Sequence, residues 1–368
     1  MHNARFERLS RAIREAGLDA LALNPGPTLT YLTGLSFHLM ERPTVLLFVP
    51  GSKPVLVLPE LEMTKASKAG VQLDTFSFGD NPALWGQAFQ AAAQSLGLNG
   101  KTIGVEPNRL RFLELKFLEN AIPGANFASA EGVLNGLRMQ KDAAEVEAMR
   151  QAVRIAQEAL TATLPFIKAG VTERQVAAEL MINLMRAGSD GELPFQPIVS
   201  TGPNSADPHA SPSNRALQQG DLLVIDWGAA YNGYISDLTR TFAIGEPADE
   251  YRHIAELVLR ANEAGRKAAR PGIVAGDVDR AARQVIEQGG YGPQFFHRTG
   301  HGIGMEGHEP PYMFGENDLI LQQGMAFTVE PGIYLTGRNG VRIEDNVVIT
   351  EDGAETLSDL PRELIVLG

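Results

Sequence analysis

Apolar positions recur along this chain with two different periods, and the switching between them marks out its elements. Phe6, Leu9 and Ile13 fall three and four apart, which predicts a helix, and Gly17 ends it. Asp19–Leu23 is a short apolar run of strand type, followed by Asn24-Pro25-Gly26-Pro27, a turn sequence. Thr44–Val49 and Pro54–Leu58 are two further apolar runs joined by Pro50-Gly51-Ser52-Lys53, which predicts a hairpin. Pro82–Leu96 returns to helical spacing, Thr102–Val105 reads as a strand and Asn108–Asn120 as a helix. Strands and helices that alternate over about 125 residues predict a small α/β domain. Beyond Ser129–Lys141 the pattern changes. Asp142–Ile167 is a long helical stretch rich in Ala, Glu, Gln and Arg, a second helix runs from Thr172 to Arg186, and a loop with five prolines spans Pro194 to Pro212. Two more helices are expected at Glu250–Arg270 and Gly276–Gln288. The expected division is a domain at residues 1–130 and a second, of α+β type, at 131–368.

The second domain is organised around Asp221–Phe242. Leu222–Ile225 is unbroken apolar sequence, Tyr234–Phe242 alternates, and Asn232-Gly233 between them supplies the positive φ angles of a hairpin turn. With the turn centred there, Asp226 faces Thr239 and Asp237 is its diagonal neighbour on the same face, roughly 7–8 Å away. Two carboxylates aimed together from apolar strands repel and lose hydration, so both stay ionised only around a cation. The arrangement recurs further on. Leu217-Gln218-Gln219-Gly220 precedes Asp226 as Leu321-Gln322-Gln323-Gly324 precedes Glu330, and a turn at Gly337-Arg338-Asn339-Gly340 leads to Glu344. Ala169-Gly170-Val171 and Pro271-Gly272-Ile273 share a similar offset. The region from about Lys141 onward therefore reads as two diverged copies of one unit, each giving a carboxylate pair from a hairpin. Four carboxylates facing across a pseudo-twofold form a cradle for two divalent ions.

Composition narrows the chemistry. A length of 368 residues favours two domains, and 44% hydrophobic with 21% charged residues is ordinary for a globular protein. The net charge of −12 argues against nucleic acid or an anionic membrane as partner. The absence of cysteine removes disulfides, thiolate ligands and a cysteine nucleophile, leaving carboxylates and seven histidines. The charged amphipathic start lacks a signal-peptide core, no run reaches the roughly 20 apolar residues of a membrane span, and a soluble cytoplasmic protein is expected. Gly100-Lys101-Thr102 lacks the upstream glycine of a phosphate-binding loop. His297, His301 and His308 cluster within twelve residues, but Gly300, Gly302, Gly304 and Gly307 argue against a helix there. A glycine-rich strand or loop, with backbone drawn close to a site, fits better and makes His301 the candidate ligand.

These residues carry a resemblance. Pro208-His209, Asp226 and Asp237, Gly300-His301-Gly302-Ile303-Gly304, His308-Glu309, Thr328-Val329-Glu330-Pro331-Gly332 and Arg342-Ile343-Glu344-Asp345 have the order and spacing of the pita-bread metallopeptidases. That group includes creatinase, methionine aminopeptidase, aminopeptidase P and prolidase. Asn24-Pro25 and Tyr31-Leu32-Thr33-Gly34 resemble the additional N-terminal domain of the creatinase, aminopeptidase P and prolidase branch. The resemblance covers essentially the whole chain. It implies an α/β creatinase-like N-terminal domain and an α+β pita-bread catalytic domain with a pseudo-twofold internal duplication. It further implies Asp226, Asp237, His301, Glu330 and Glu344 as ligands of a dinuclear site, with Asp237 and Glu344 bridging, Asp226 on one ion, and His301 and Glu330 on the other. Two ions about 3.5–4 Å apart hold a bridging hydroxide and polarise a scissile carbonyl. The mostly oxygen donor set favours Mn²⁺, with Co²⁺ or Zn²⁺ as alternatives.

By the same resemblance Glu330 carries a proton to the leaving nitrogen, and His209 and His308 contact the substrate and stabilise the tetrahedral intermediate, with His297 beside them. Arg342 shares strand parity with Glu344 and either orients that carboxylate or reaches the substrate. The implied activity is hydrolysis of the Xaa-Pro bond in short peptides, foremost by a dipeptidase (prolidase), in a homodimer. Tyr312 departs from the pattern: some prolidases place an arginine there for the substrate carboxylate, so Arg342, Arg298 or a partner chain would have to serve. An aminopeptidase acting on longer peptides is the alternative. A metal-free creatinase-like amidinohydrolase or a non-catalytic binding module would be expected to have lost some of these residues.

Overall fold

The computed structural model describes residues 2–368. The chain forms two compact units that divide between Arg138 and Met139. The first contains strands β1 (Ala20–Leu23), β2 (Val45–Phe48), β3 (Val55–Pro59), β4 (Asp74–Phe78), β5 (Thr102–Val105) and β6 (Asn126–Ser129) in one mixed sheet of order β4-β3-β2-β1-β5-β6. The apolar runs on either side of Gly51 (φ 91°) make the antiparallel β2–β3 hairpin, and β1 pairs antiparallel with β2 and parallel with β5. Alternate residues of these strands, among them Ala20, Val45 and Val57, pack with Trp85, Phe89 and Leu118 in one core. Its helices are α1 (His2–Glu15), α2 (Pro27–Thr33), α3 (Met63–Ala66), α4 (Trp85–Ser95), α5 (Phe112–Ala121) and α6 (Glu131–Met139), the last running to the division. Pro27 opens α2 because a fixed φ and a missing N–H suit a first helical turn. The edge strands β4 and β6 expose part of their short length, and four or five residues give too brief an alternation to read.

The second unit repeats itself. Helices α7 (Ala143–Thr163) and α8 (Glu173–Ala187) precede β7 (Ile198–Thr201), β8 (Leu222–Trp227), the small hairpin β9 (Ala230–Tyr231) and β10 (Tyr234–Ile235), and β11 (Leu238–Ile244). Then α9 (Asp249–Ala268) and α10 (Ala275–Gln288) precede β12 (Gly300–Gly302), β13 (Glu309–Met313), β14 (Ala326–Val329), the hairpin β15 (Gly332–Tyr334) and β16 (Gly340–Arg342), β17 (Asp345–Ile349), β18 (Ala354–Thr356) and β19 (Ile365–Leu367). The sheets run β7-β8-β11-β19 and β13-β12-β14-β17-β18, so β12, β14 and β17 stand in the second copy where β7, β8 and β11 stand in the first.

Small contacts repeat as well. The N–H of Gly170 donates to Leu217 and that of Leu217 to Val171, just as Gly272 donates to Leu321 and Leu321 to Ile273. Gly220 and Gly324 both adopt positive φ and donate to the ends of β11 and β17, at Ile244 and Ile349. The helices start where polar caps allow. Asp142 with Glu145 opens α7 and Thr172 with Gln175 opens α8, each as a reciprocal capping box. A turn at Leu164–Phe166 ends α7 short of the expected Ile167, since Pro165 cannot continue the hydrogen-bond ladder. No described helix is long and apolar enough to cross a membrane.

Candidate metal centre

Each carboxylate pair arrives from strands whose other residues are buried and apolar. In β8, Leu222, Leu223, Val224, Ile225 and Trp227 are buried around Asp226. Its partner β11 sets Thr239 opposite Asp226, the register the Asn232-Gly233 turn predicts. Asn232 at φ 52° and Gly233 at φ 77° form the turn that holds this register through β9 and β10. Asp237, just before β11, lies close enough to Asp226 for the two charges to repel.

The second copy delivers Glu330 from the end of β14 and Glu344 from the start of β17, where Val329 pairs with Asp345. The copies meet at a bridge between Thr239 and Glu344. There the Glu344 N–H donates to the Thr239 carbonyl (3.1 Å), and the Thr239 hydroxyl donates to Glu344 Oε2 (2.7 Å). Strand β12 brings in His301. A Cβ on Gly300 would stand 1.9 Å from the Thr328 carbonyl oxygen, and one on Gly302 would stand 2.3 Å from that of Glu309. Only glycine lets the neighbouring backbones close on the histidine from both sides.

Donor atoms of Asp237, His301 and Glu344 all lie within 4.8 Å of one another, and all three residues are buried. His301 Nε2 is 3.3 Å from Glu330 Oε1 and 3.7 Å from Asp237 Oδ2. His301 Nδ1 donates to the Gly302 carbonyl (3.1 Å), which leaves Nε2 as the lone-pair nitrogen facing those carboxylates. Burial, then the neighbouring His308, pushes the imidazole down to about 3, so it is neutral. Burial, followed by the charges of Asp226 and Glu330, raises Asp237 well above the usual carboxylate range. Burial, followed by the charge of Asp237, raises Glu344 likewise. Glu330 is pushed up to about 7, mainly by burial. Asp226 Oδ1 is buried with no hydrogen-bond partner among the described residues. Crowded carboxylates, an unpartnered oxygen and an unprotonated imidazole nitrogen make an uncompensated donor set, which a divalent cation satisfies.

Arg342 lies against this group and is fully engaged. It donates to Asp226 Oδ2 (2.6 Å), Thr239 Oγ1 (3.1 Å), the Tyr334 hydroxyl (3.0 Å) and the Pro208 carbonyl (3.4 Å). Burial opposes its charge, but Tyr334, Asp226, Glu330 and Glu344 outweigh that and raise its pKa. Burial also raises Tyr334, to about 12. His297 takes a place behind this network. Its Nδ1 donates to the Arg298 carbonyl (2.7 Å) and its Nε2 accepts from the Tyr334 hydroxyl (2.9 Å). Both ring nitrogens are thus engaged within the protein, and the ring supports Tyr334 beside the two histidines expected to contact the substrate.

The other expected residues sit at the mouth. His308 is exposed, with its ring centroid 3.9 Å from that of His301, and burial of part of the ring together with Arg298 and His209 lowers its pKa. His209 is exposed on the proline-rich loop and lies near enough to His297 and His308 to act on both electrostatically. Tyr312 does not join the carboxylate group. It is half-buried on β13, and the Arg298 guanidinium stacks on its ring at 4.3 Å.

Several supporting residues escaped the sequence reading. Asn346 clamps Asp237 at two points, donating to its carbonyl (2.6 Å) and accepting from its N–H (3.1 Å). Arg240 donates to the carbonyls of Thr239 and Glu344 and to Asp345, and Asn262 donates to those of Val329 and Ile343. Buried Glu173 accepts from the N–H groups of Thr201 and Ser213, the Ser213 hydroxyl and the Asn204 amide, pinning both ends of the loop that carries His209. Asp279 does the same for the approach to His301, accepting from Thr299 and Arg283. Asn346 follows Glu344 and Asp345 at the head of the apolar run Val347–Ile349, so nothing local marked it out. Glu173 and Asp279 look like ordinary polar positions on helix faces.

Comparison with known proteins agrees with this geometry. Residues 147–351 match the metallopeptidase family M24, and residues 5–140 match the creatinase/prolidase N-terminal domain. The chain is 35% identical over 364 residues to the Xaa-Pro dipeptidase of Pyrococcus furiosus, covering 98% of this chain and 99% of that one. Among solved structures it is similar to a dipeptidase from Pyrococcus horikoshii OT3 (TM-score 0.93, 36% identity, 99% and 100% coverage). It is also similar to an Xaa-Pro dipeptidase from Bacillus anthracis (TM-score 0.91, 34% identity, 100% of both chains). With its carboxylates and histidine gathered in the repeated half of the fold, the chain belongs to the metallopeptidase family M24 and carries the creatinase/prolidase N-terminal domain ahead of the catalytic one.

Proposed function

We propose that this protein is a Xaa-Pro dipeptidase that works with two divalent ions held by Asp226, Asp237, His301, Glu330 and Glu344. The observation that carries the reading is that donor atoms of Asp237, His301 and Glu344 lie within 4.8 Å of one another, with Glu330 3.3 Å from His301 and Asp226 close enough to Asp237 to repel it. These five residues would hold the ions, and among the four carboxylates Asp237 and Glu344 are the most enclosed. Four carboxylates and one imidazole suit Mn²⁺ best, with Co²⁺ and Zn²⁺ as alternatives. Bound there, divalent ions would polarise the scissile carbonyl and make hydroxide available at neutral pH.

The chain's own residues do the rest. Glu330 keeps 16% of its side chain open and serves as the proton carrier to the leaving nitrogen. His308 and His209, exposed at the mouth, donate hydrogen bonds to the oxygen on which negative charge develops. Arg342 holds Asp226 in place through a charge-assisted bond, and Tyr334 with His297 holds Arg342. The substrate class is supported by relatives of matching length that are Xaa-Pro dipeptidases.

A second reading, an aminopeptidase for longer peptides, is favoured by Tyr312, a neutral side chain where some prolidases place an arginine. The test is hydrolysis after chelation and Mn²⁺ add-back, with Ala-Pro, Ala-Pro-Ala and Met-Ala-Ser compared side by side. Metal-restored cleavage dominated by Ala-Pro is expected. Preference for Ala-Pro-Ala would establish the second reading, and turnover led by Met-Ala-Ser would overturn the proline preference altogether.

A further inference from the structure

A dipeptide brings its own carboxylate into the site, and an unpaired carboxylate removed from water is costly. Two arginines stand near enough to pair with it, and they differ sharply in what they already hold. Arg342 is buried and its guanidinium is spent on Asp226, Thr239, Tyr334 and Pro208. Diverting it would leave Asp226 without its cation. Arg298 is half-buried, and its guanidinium has no hydrogen bond or ion pair among the described residues. Its guanidinium lies over the face of Tyr312, 4.3 Å away. A ring under the guanidinium plane fixes its tilt and leaves the N–H edge free, the edge that binds a carboxylate in bidentate fashion.

Position agrees. Arg298 lies three residues before His301 on the segment that Asp279 and Arg283 hold rigid through Thr299 and the His297 carbonyl. With Phe296 and Phe314 it also lines an open cleft of about 700 Å³. Its charge is felt by His308, His301 and Glu330, so it stands close to the site.

We infer that Arg298, seated on Tyr312, is the specificity-determining residue that receives the free carboxylate of the substrate's C-terminal residue. The inference rests on the dipeptidase reading and deepens it. Tyr312 then accounts for itself: the cation comes from the segment just before β12, and the residue four positions after His308 supplies the surface that orients it. The same contact disfavours peptides extended beyond proline, because an amide in place of the carboxylate leaves the guanidinium unpaired.

The test compares Ala-Pro with Ala-Pro-NH₂ as substrates of the Mn²⁺-loaded enzyme, together with calorimetric binding of proline and prolinamide. The wild type is expected to prefer the acids. In Arg298→Gln the ratio of kcat/KM for Ala-Pro over Ala-Pro-NH₂ falls roughly 10–100-fold, the span of a charge-assisted hydrogen bond, and the binding preference for proline falls with it. Arg298→Lys restores part of both ratios, and a folding defect would move acid and amide alike. Full retention of the acid preference in Arg298→Gln would overturn the assignment of Arg298 while leaving a dipeptidase in place. A wild type that treats Ala-Pro and Ala-Pro-NH₂ equally would overturn the inference and the dipeptidase reading together.

Discussion

Replacing Asn346 with alanine tests whether the catalytic carboxylates are held by the backbone clamps behind them. Asn346 is fully buried and makes two hydrogen bonds to one residue, Asp237, whose N–H and carbonyl are themselves inside the protein. Alanine leaves both backbone groups without partners in a space too small to admit bulk water. An unsatisfied buried polar group costs about 1–3 kcal/mol, so the pair predicts a loss of about 2–5 kcal/mol. The site should suffer separately, because Asp237 loses the contacts that fix its direction, and loss of such support weakens metal binding about 10–100-fold. Two measurements separate these effects. Urea unfolding of chelated protein, in a Trp85→Phe background so that buried Trp227 is the only tryptophan, reports the catalytic unit alone. Titration with Mn²⁺ then gives the affinity of whatever remains folded. A stability change below about 1 kcal/mol combined with unchanged Mn²⁺ affinity would refute the reasoning.

Glu173→Gln turns an acceptor-only carboxylate, bonded to four donors, into a group that confronts some of them with an N–H. It should cost about 2–4 kcal/mol and loosen the loop bearing His209, which limited proteolysis within residues 202–213 would detect. With that loop loosened, kcat/KM should fall about tenfold; unchanged protease resistance and kinetics would count against the pinning role. For His297, burial pushes the imidazole from 6.5 to about 4. Between those values the unfolded chain binds a proton that the folded chain refuses, so stability rises with pH across that window and is lost on acidification. The slope is at most about 1.4 kcal/mol per pH unit, or up to about 3 kcal/mol in all. His297→Gln should flatten the stability profile between pH 4 and 6.5 relative to wild type, and an identical slope in the variant would show that the ring is protonated in the fold.

How much of this was readable beforehand depends on the reach of each signal. The register of Asp226 against Thr239 followed from two residues, Asn232 and Gly233, because a two-residue turn fixes the pairing on both sides of it. The duplication was legible in Leu-Gln-Gln-Gly because its glycines must adopt positive φ in both copies and so resist drift. His301 was legible through its flanking glycines, which the neighbouring strands require. The two bonds that occupy His297 were not, since Tyr334 lies 37 residues away and nothing local announces it. Arg240, Asn262 and Glu173 were hidden for the same reason: each acts on backbone groups 28 or more residues distant or across the seam between copies, contacts that leave no periodic trace.

The seam has a consequence for how the protein responds to its metal. On the proposed ligand set neither copy would hold a complete site: Asp226 and Asp237 belong to one, His301, Glu330 and Glu344 to the other, and about a hundred residues of chain lie between the two pairs of acids. An ion bound to both copies acts as a staple across a long loop, removing freedom from the unfolded chain much as a crosslink does, by an amount approaching 4–5 kcal/mol for a loop of roughly that length. A metal held that way would be part of the fold's tertiary bonding as well as its chemistry. Scarcity of the ion would be felt as weakened cohesion between the copies, so the quantity of correctly folded enzyme tracks the supply of the metal it needs.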